Sequence, residues 1–275
     1  MNGKTLRALR RTAFVSMMLV IAPAFAGNDP IEAFRPAGEA THDHAAFDAL
    51  LDRFVVMDDE GLTRVDYGGL ASEHDVLRSY VAELEAATPS NMSPDAAHAY
   101  WLNLYNAKTL DVVLDAYPVE SIRRINLGGA LFKPGPWSKE ILRVEGQDLT
   151  LDDVEHRIVR AIFNDPMSHY GLNCASFSCP NLMPDAYTAE NLNEQLAESG
   201  RLYVNHDRGV QVRDGRIVAS KIFDWYAGDF GGEDALKSHW TALASPQKAA
   251  EIEAAEISYY RYDWDLNDIQ KPSGT

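Results

Sequence analysis

The sequence predicts an α+β fold in a single domain that is mostly helical and carries a small antiparallel sheet made of two hairpins. Residues 93–117 repeat apolar side chains at helical spacing, start with a serine that can cap a helix, and are followed by Pro118. Two shorter stretches place Glu145-Gly146 and Asp214-Gly215 between runs typical of strands. The sequence contains no internal repeats that would favour a solenoid.

The N-terminus has the layout of a secretory signal peptide over residues 1–26. Basic side chains come first, then an apolar run over residues 13–22, then the small-residue pattern Ala24-Phe25-Ala26. The apolar run is about ten residues long, whereas a bilayer core needs about 20. We therefore expect cleavage after Ala26, with a retained anchor as the alternative. A cleaved chain would be periplasmic or secreted and would have no stable membrane insertion.

Composition limits the domain organisation and the partners. Residues 27–43 mix proline, glycine and charge and are predicted as a linker, which leaves one domain over residues 44–270. The formal net charge is −16, and no basic patch interleaved with aromatic residues is present. Phosphate backbones would be repelled, so nucleic acid is excluded as an expected partner. The later chain has no apolar run long enough to span a membrane.

Two asparagines interrupt the apolar face of the long predicted helix. Asn103 lies within the apolar stripe and Asn106 lies on its border, one turn further along. An amide in such a place needs partners, because an unmet hydrogen bond costs about 1–3 kcal/mol. One interpretation is that these amides tie down the backbone of a neighbouring loop. The other is that they orient a catalytic group or hold a substrate.

The helix predicted over residues 151–163, capped by Thr150, carries an adjacent acid and base. His156 points away from the apolar stripe of this helix, whereas Glu155 lies nearer to it. An imidazole titrates near neutral pH, so His156 is a candidate general base, and a solvated surface histidine is the alternative. A glutamate beside a core stripe requires a polar partner.

Both cysteines lie in the stretch "HYGLNCASFSCP", residues 169–180. A nucleophilic Cys174 needs a base, which His169 or His156 would supply, and donors for the developing oxyanion. The competing interpretation is a structural disulfide between Cys174 and Cys179, since four intervening residues can close such a loop and an exported chain meets oxidising conditions. Both interpretations remain open on spacing alone.

Other motifs predict neither a metal site nor a cofactor. Asp229-Phe230-Gly231 resembles a kinase motif, but the phosphate loop and catalytic loop of a kinase are missing from the sequence. His42 and His44 fall in the predicted linker or at its edge, and no group of Cys and His has the spacing of a structural zinc site.

Five blocks together resemble the domain of unknown function 547 family. They are "VDY" near the start, "AYWLNLYNAKTLDVVLDAYPVESIR", "LTLDDVEHRIVR", "DPMSHYGLNCASFSCP" and "YDWDLN" near the end, in the order of that family and from about Phe47 to Asn267. The resemblance implies a bacterial exported protein. It also implies a site built from Asn103, Asn106, Glu155, His156 and Cys174. Plant-type relatives often carry serine at the position of Cys179, which implies that the fold does not require a disulfide.

The first functional expectation is an exported cysteine-dependent hydrolase or acyl transferase acting on a peptide, amide or thioester bond. Cys174 would attack, His156 or His169 would take its proton, Glu155 would orient the imidazole, and Asn103 or Asn106 would donate to the oxyanion. Tyr105 and Ser176, from the same blocks, would contact the substrate. By analogy with enzymes that place a cysteine at a helix start, a papain- or transglutaminase-like arrangement is expected.

The alternative expectation is a non-catalytic envelope module that binds a glycan or a peptide. A Cys174–Cys179 disulfide would then be structural, and the aromatic and acidic tail over residues 259–265 would form the binding surface. Ordinary packing of a terminal strand is the simpler interpretation of that tail.

Overall fold

The computed structural model describes residues 30–128 and 135–270, so the predicted signal peptide lies outside the described residues. The α-helices are α1 (Ala45–Phe54), α2 (Tyr67–Leu70), α3 (His74–Ala86), α4 (Pro94–Ala116), α5 (Leu192–Asn205), α6 (Lys221–Trp225), α7 (Glu233–Leu243) and α8 (Pro246–Ala254). A π-helix runs over Asp153–Phe163, and the strands are β1 (Val55–Met57), β2 (Thr63–Val65), β3 (Leu142–Val144), β4 (Gln147–Leu149), β5 (Val210–Arg213), β6 (Arg216–Ser220) and β7 (Glu256–Arg261). The chain is thus α+β and mostly helical, as predicted.

Helix α4 is the centre of the larger hydrophobic cluster. Ser93 caps it by accepting a hydrogen bond from the Ala96 N–H, and Pro94 occupies its first turn. Most of its side chains are buried, on every face, including Tyr100 and Trp101. A helix that is buried all round has to be surrounded by other elements, and α4 therefore fixes the positions of the segments that build the site.

Both predicted hairpins form, but they belong to different sheets. β3 pairs with β4 across Glu145-Gly146, and β5 pairs with β6 across Asp214-Gly215. All four turn residues have positive φ, as two-residue hairpin turns of this kind require. The expectation of one antiparallel sheet is corrected, because β7 adds to β6 in parallel and makes a mixed three-stranded sheet. β1 and β2 form a further antiparallel pair.

Residues 30–43, which composition predicts as a linker, pack against the core where the structure describes them. Phe34 is fully buried, and its ring meets the edge of Trp101 with 5.1 Å between centroids. Ile31 is buried as well, and Ala40 bridges to Met92. These two buried apolar side chains are enough to anchor the stretch to the core. The average composition of the stretch does not reveal them.

The path of the chain gives no support for a papain- or transglutaminase-like arrangement. Cys174 lies in an extended loop rather than at the start of a helix, and the next helix, α5, begins only at Leu192. Among the described residues, no helix has both the length and the apolar character that crossing a membrane requires.

Candidate functional site

A cavity of about 260 Å³ opens where the two hydrophobic clusters of the described residues meet. Its walls are mainly aromatic: Tyr105, Trp137, Trp225, Tyr226, Tyr262 and Trp264. The remaining lining residues are Asp152, Glu155, His156, His169, Leu172, Cys174, Cys179 and Ile222. Both thiols, two imidazoles and two carboxylates therefore share one concave surface, which we call the thiol cavity.

Asparagine side chains hold the cysteine loop, residues 171–181, in place. Asn106 on α4 donates to the Gly171 carbonyl at 2.8 Å and accepts from the Asn173 N–H at 2.8 Å. Asn173 in turn spans the loop and donates to the Pro180 carbonyl at 2.7 Å. These amides replace the regular backbone pairing that the loop lacks, because buried backbone groups need partners.

The C-terminal segment, residues 262–268, packs along the other side of the cysteine loop. The Phe177 N–H donates to the Asp265 carbonyl at 2.7 Å, and the Asp263 N–H donates to Ser178 Oγ at 2.8 Å. This pairing brings Tyr262 and Trp264 to the wall of the thiol cavity. The aromatic tail is thus divided: Tyr262 and Trp264 belong to the cavity wall, whereas Tyr259 and Tyr260 belong to β7.

The two cysteines are free thiols that lie side by side. Cys179 is buried, whereas Cys174 is partly exposed to the cavity. The Cys174 N–H donates to Cys179 Sγ at 3.0 Å, and the Tyr262 hydroxyl lies 3.3 Å from each sulfur. Ser176 Oγ completes the group, 3.2 Å from Cys174 Sγ and 2.8 Å from the Tyr262 hydroxyl.

This arrangement shifts the pKa values of the two thiols in opposite directions. Burial alone raises the pKa of Cys179, but hydrogen bonds from the Cys174 thiol and N–H, from Tyr262 and from Ser176 outweigh it and lower that pKa to about 7. The hydrogen bond to Cys179, together with burial, raises the pKa of Cys174 well above its usual value. The pair therefore loses its first proton near neutral pH, and the negative charge rests mainly on Cys179.

A buried guanidinium lies behind Cys179. The side chain of Arg208 is only 6% exposed. It donates to the Phe177 carbonyl at 3.2 Å and to Asn181 Oδ1, and therefore binds the cysteine loop on both sides of Cys179. Among the described residues no carboxylate pairs with Arg208, and its Nε has no partner. Burial lowers the pKa of Arg208 to about 10, which leaves it charged at pH 7. A thiolate on Cys179 would stabilise the charged guanidinium, and Asp58 does so from beyond ion-pair distance.

His169 is held by a charged network. Its Nε2 lies 2.8 Å from Asp229 Oδ2, and Asp229 also binds Arg160 through two bonds, at 2.6 and 3.0 Å. Asp229 stays ionised, since the bonds from Arg160 lower its pKa, and a carboxylate only accepts. Nε2 of His169 therefore carries the hydrogen, and Nδ1 keeps a lone pair that has no partner among the described residues. Burial lowers the pKa of His169, so the ring is neutral at pH 7.

The carboxylate of Glu155 accepts hydrogen bonds from two tyrosines and from no imidazole. Its carboxylate accepts from the Tyr226 hydroxyl at 2.6 Å and from the Tyr105 hydroxyl at 3.1 Å. His156 Nδ1 is 3.8 Å away, beyond hydrogen-bond distance, and receives a bond from Arg160 at 3.3 Å instead. The expectation that Glu155 orients His156 is corrected. Asp229 provides that contact, and it does so for His169.

Neither imidazole forms a hydrogen bond to a thiol in the described part of the chain, although His156 and His169 both line the thiol cavity. His156 remains partly exposed, with 38% of its side chain accessible. His169 is buried, stacks on Tyr226 at 4.3 Å between ring centroids, and has its orientation fixed. Fixed orientation and a free lone pair make His169 the better candidate base.

Three other predicted site residues, Asn103, Asn106 and Ser176, do not line the thiol cavity. Asn103 donates to the Tyr187 carbonyl at 2.8 Å and accepts from its N–H at 3.1 Å, so it pins a loop, as Asn106 does. Neither asparagine lines the thiol cavity, and the expected oxyanion role does not fit their positions. Ser176 is 1% exposed and also stays off the cavity wall, where a substrate contact was expected, whereas Tyr105 is part of the wall.

We expect Asn106→Leu to destabilise the fold. The substitution leaves the Gly171 carbonyl and the Asn173 N–H buried without a partner, and each such group costs about 1–3 kcal/mol. The free energy of unfolding, measured by urea denaturation, should fall by that amount for each group. Asn193 on the exposed side of α5 provides the matched control, and Asn193→Leu should unfold like the wild type. Equal stability of both variants would contradict the pinning role of Asn106.

The described residues hold one group with metal-binding geometry, formed by His74, Asp111 and Asp115. Lys108 binds Asp111 at 2.8 Å, and Arg78 binds both carboxylates. These cations already balance the two carboxylates, so this cluster is explained by its ion pairs.

The sequence does not point to Asp229, Tyr226 or Arg208, and it places Tyr262 in a separate binding surface rather than beside the thiols. Asp229 belongs to the Asp-Phe-Gly stretch that resembles a kinase motif, and an acid close to glycines is the one local signal for it. Tyr262 reaches Cys174 across 88 positions of sequence, a distance that no spacing rule spans.

Comparison with known families places a DUF547 domain, described as "Protein of unknown function, DUF547", at residues 89–204. The matched region contains α4, the π-helix and the cysteine loop. Asp229 and Tyr262 lie beyond it, although the expected resemblance extends to Asn267. No curated protein and no solved structure matches the chain.

Proposed function

We propose that the thiol cavity is the active site of a cysteine-dependent hydrolase or acyl transferase, with an amide, ester or thioester carbonyl as its target. One observation carries the proposal: an acidified thiol pair and an imidazole oriented by a carboxylate line the same cavity. A thiolate, a fixed base and a concave apolar surface are the elements that acyl transfer requires.

In the first step Cys174 attacks, because it is the sulfur that is partly exposed to the cavity. Its proton passes to the thiolate of Cys179, and the Cys174 sulfur forms a bond to the carbonyl carbon. Tyr262 lies 3.3 Å from the attacking sulfur, and burial raises its pKa so that it keeps its proton and can donate to developing charge. Collapse of the intermediate expels the leaving group, which takes the proton from Cys179.

In the second step His169 acts as the base. Its Nδ1 takes a proton from water, or from an acceptor amine or hydroxyl, as that oxygen or nitrogen attacks the thioester on Cys174. Asp229 stabilises the imidazolium that forms, and the proton then moves to the sulfur as Cys174 leaves. Hydrolysis and transfer differ only in which acceptor enters the cavity.

The experiment uses p-nitrophenyl acetate as a generic acyl donor, with intact-mass analysis of the full reduced protein. Wild type should release p-nitrophenol in a burst and gain one acetyl group on Cys174. Cys174→Ala should show neither, and Cys179→Ser should be acetylated more slowly because it lacks the neighbouring proton acceptor. Acetylation that is equal in wild type and Cys174→Ala would overturn the proposal.

A binding module for glycans or peptides is the second candidate, and the exposure of Trp225 favours it. This side chain is 44% exposed and forms an aromatic cluster with Tyr262 and Trp264, at 4.9 and 5.8 Å between centroids. On this account Cys174 and Cys179 are joined in the native protein and no acyl adduct forms. An intact mass two hydrogens lower that persists in mild reductant, together with the absence of a burst, would favour the module.

A further inference from the structure

The cysteine loop holds its two free thiols together without a covalent bond between them. The Asn173 side chain donates to the Pro180 carbonyl at 2.7 Å, which closes the loop just outside the two cysteines. Further in, the Cys179 N–H donates to the Ser176 carbonyl at 3.0 Å and forms a tight turn. Between these closures the Cys174 N–H donates to Cys179 Sγ at 3.0 Å. The folded backbone therefore supplies the proximity that a disulfide bond between the two residues needs.

Ala175 has a strained backbone directly after Cys174. It is fully buried and its φ is 61°, in the left-handed region that favours glycine. Its neighbours hold it there, because its N–H donates to Asn173 Oδ1 at 2.9 Å and its carbonyl accepts from the Asn267 N–H at 3.1 Å. Strain of this kind persists only where the surroundings over-determine it, as they do at functional sites. The strained residue lies where the chain starts to reverse from Cys174 towards Cys179.

The two thiols differ in exposure and in acidity. Cys174 is partly exposed to the thiol cavity, so a compound that enters the cavity meets this sulfur first. Cys179 is only 3% exposed, and hydrogen bonds from Cys174, Tyr262 and Ser176 favour its thiolate. A shielded thiolate of this kind is poorly accessible to solutes, and the sulfur that it faces is that of Cys174. Acyl transfer uses Cys179 only as a proton acceptor, a role that does not require a second sulfur.

We propose that Cys174 and Cys179 also form a redox-active dithiol, which reduces small disulfides that enter the thiol cavity. Cys174 passes its proton to the Cys179 thiolate and attacks one sulfur of the disulfide, which forms a mixed disulfide on Cys174. The first thiolate leaves as a thiol with the proton that Cys179 held. Cys179 then attacks Cys174 Sγ, expels the second thiolate and leaves an internal disulfide. Two electrons thus pass from the cysteine pair to the small disulfide.

This exchange shares the thiol cavity with the proposed acyl transfer but does not depend on it. The internal disulfide removes the thiol that accepts the acyl group, so oxidation of the pair stops acyl transfer. Reduction by an excess of thiol runs the same steps in reverse and restores it. A structural disulfide, by contrast, would form once and resist reduction by glutathione.

The test exposes the reduced protein to oxidised glutathione, labels the remaining free thiols with N-ethylmaleimide and measures the intact mass. The chain contains only two cysteines, so each mass has a single assignment. The wild type should lose both labels without a stable glutathione adduct, and excess reduced glutathione should restore both thiols. Cys179→Ser should stop at a glutathione adduct on Cys174. Cys174→Ser should react about tenfold more slowly or less, because Cys179 is shielded, and thermal melting checks that each variant is folded.

A glutathione adduct that persists on the wild type would overturn the inference, as would an internal disulfide that excess reduced glutathione leaves intact. Wild-type thiols that oxidised glutathione leaves unchanged would overturn it as well. The burst with p-nitrophenyl acetate separates this inference from the proposed function. Reversible exchange in a reduced protein that shows no burst would sink the proposed function and leave the dithiol standing. A burst that oxidised glutathione leaves unchanged would do the reverse.

Discussion

Asp229→Asn should slow the steady-state hydrolysis of p-nitrophenyl acetate about a hundredfold or more while leaving the initial burst nearly unchanged. Asp229 fixes the hydrogen of His169 on Nε2 and stabilises the imidazolium that forms when Nδ1 takes a proton from water. The burst depends on Cys174 and Cys179, which Asp229 does not touch. Stopped-flow measurement of both phases separates the two steps, and intact mass should reveal a long-lived acetyl-enzyme.

Controls for Asp229→Asn separate catalysis from folding. Asp234→Asn, an exposed carboxylate in the first turn of α7, should behave like the wild type. His169→Ala should lose as much steady-state rate as Asp229→Asn, and the double variant should be no slower than His169→Ala, since two groups that act as one unit give non-additive losses. A burst that disappears along with the steady-state rate would place the dyad in the first step instead.

Local patterns predicted the framework of the site but not its chemistry. The capping Ser93, the two Gly-containing turns and the amide pair on α4 each follow from interactions within a few residues or from the cost of an unpaired buried amide. Asn106 was therefore identified correctly as a residue that binds something specific. What it binds, the backbone of the cysteine loop, depends on a contact 65 positions away.

The roles of Glu155 and His156 were predicted less well because their helix is not the α-helix that the prediction assumes. The prediction assumed an α-helix, in which the side-chain directions follow a period of about 3.6 residues. Residues Asp153–Phe163 instead form a π-helix, whose wider turn rotates the side chains to new directions. Glu155 consequently meets Tyr105 and Tyr226, and His156 also reaches the cavity wall.

The choice between the two candidate bases, His156 and His169, depends on a different kind of contact. His169 was a candidate only because it precedes Cys174 by five positions, yet what distinguishes it is the bond to Asp229, 60 positions further on. Such a partner is fixed by how the two hydrophobic clusters dock, and a single sequence carries no periodic or spacing signal for that docking. The same holds for Arg208, whose burial beside the thiols follows from the path of the chain after α5.

Arg208→Met should shift the pH dependence of thiol alkylation upward. In the wild type the pKa of Cys179 is about 7, so the pair should react with iodoacetamide with an apparent midpoint near pH 7, and its reactivity should rise as pH rises through that value. Removing the guanidinium takes away the buried charge that favours the thiolate, so the midpoint should rise by about one unit or more, a tenfold change in the equilibrium or about 1.4 kcal/mol. Intact-mass analysis over a pH series gives the midpoint, and peptide mapping assigns the label to Cys174 or Cys179.

Arg208→Lys is the control and should restore a midpoint close to that of the wild type, because a charge without the planar hydrogen-bonding geometry still favours the thiolate. Thermal melting checks that each variant is folded. If folded Arg208→Met kept the wild-type midpoint, the acidity of the pair would come from the donors of Cys174, Tyr262 and Ser176 alone, and Arg208 would serve only to hold the loop.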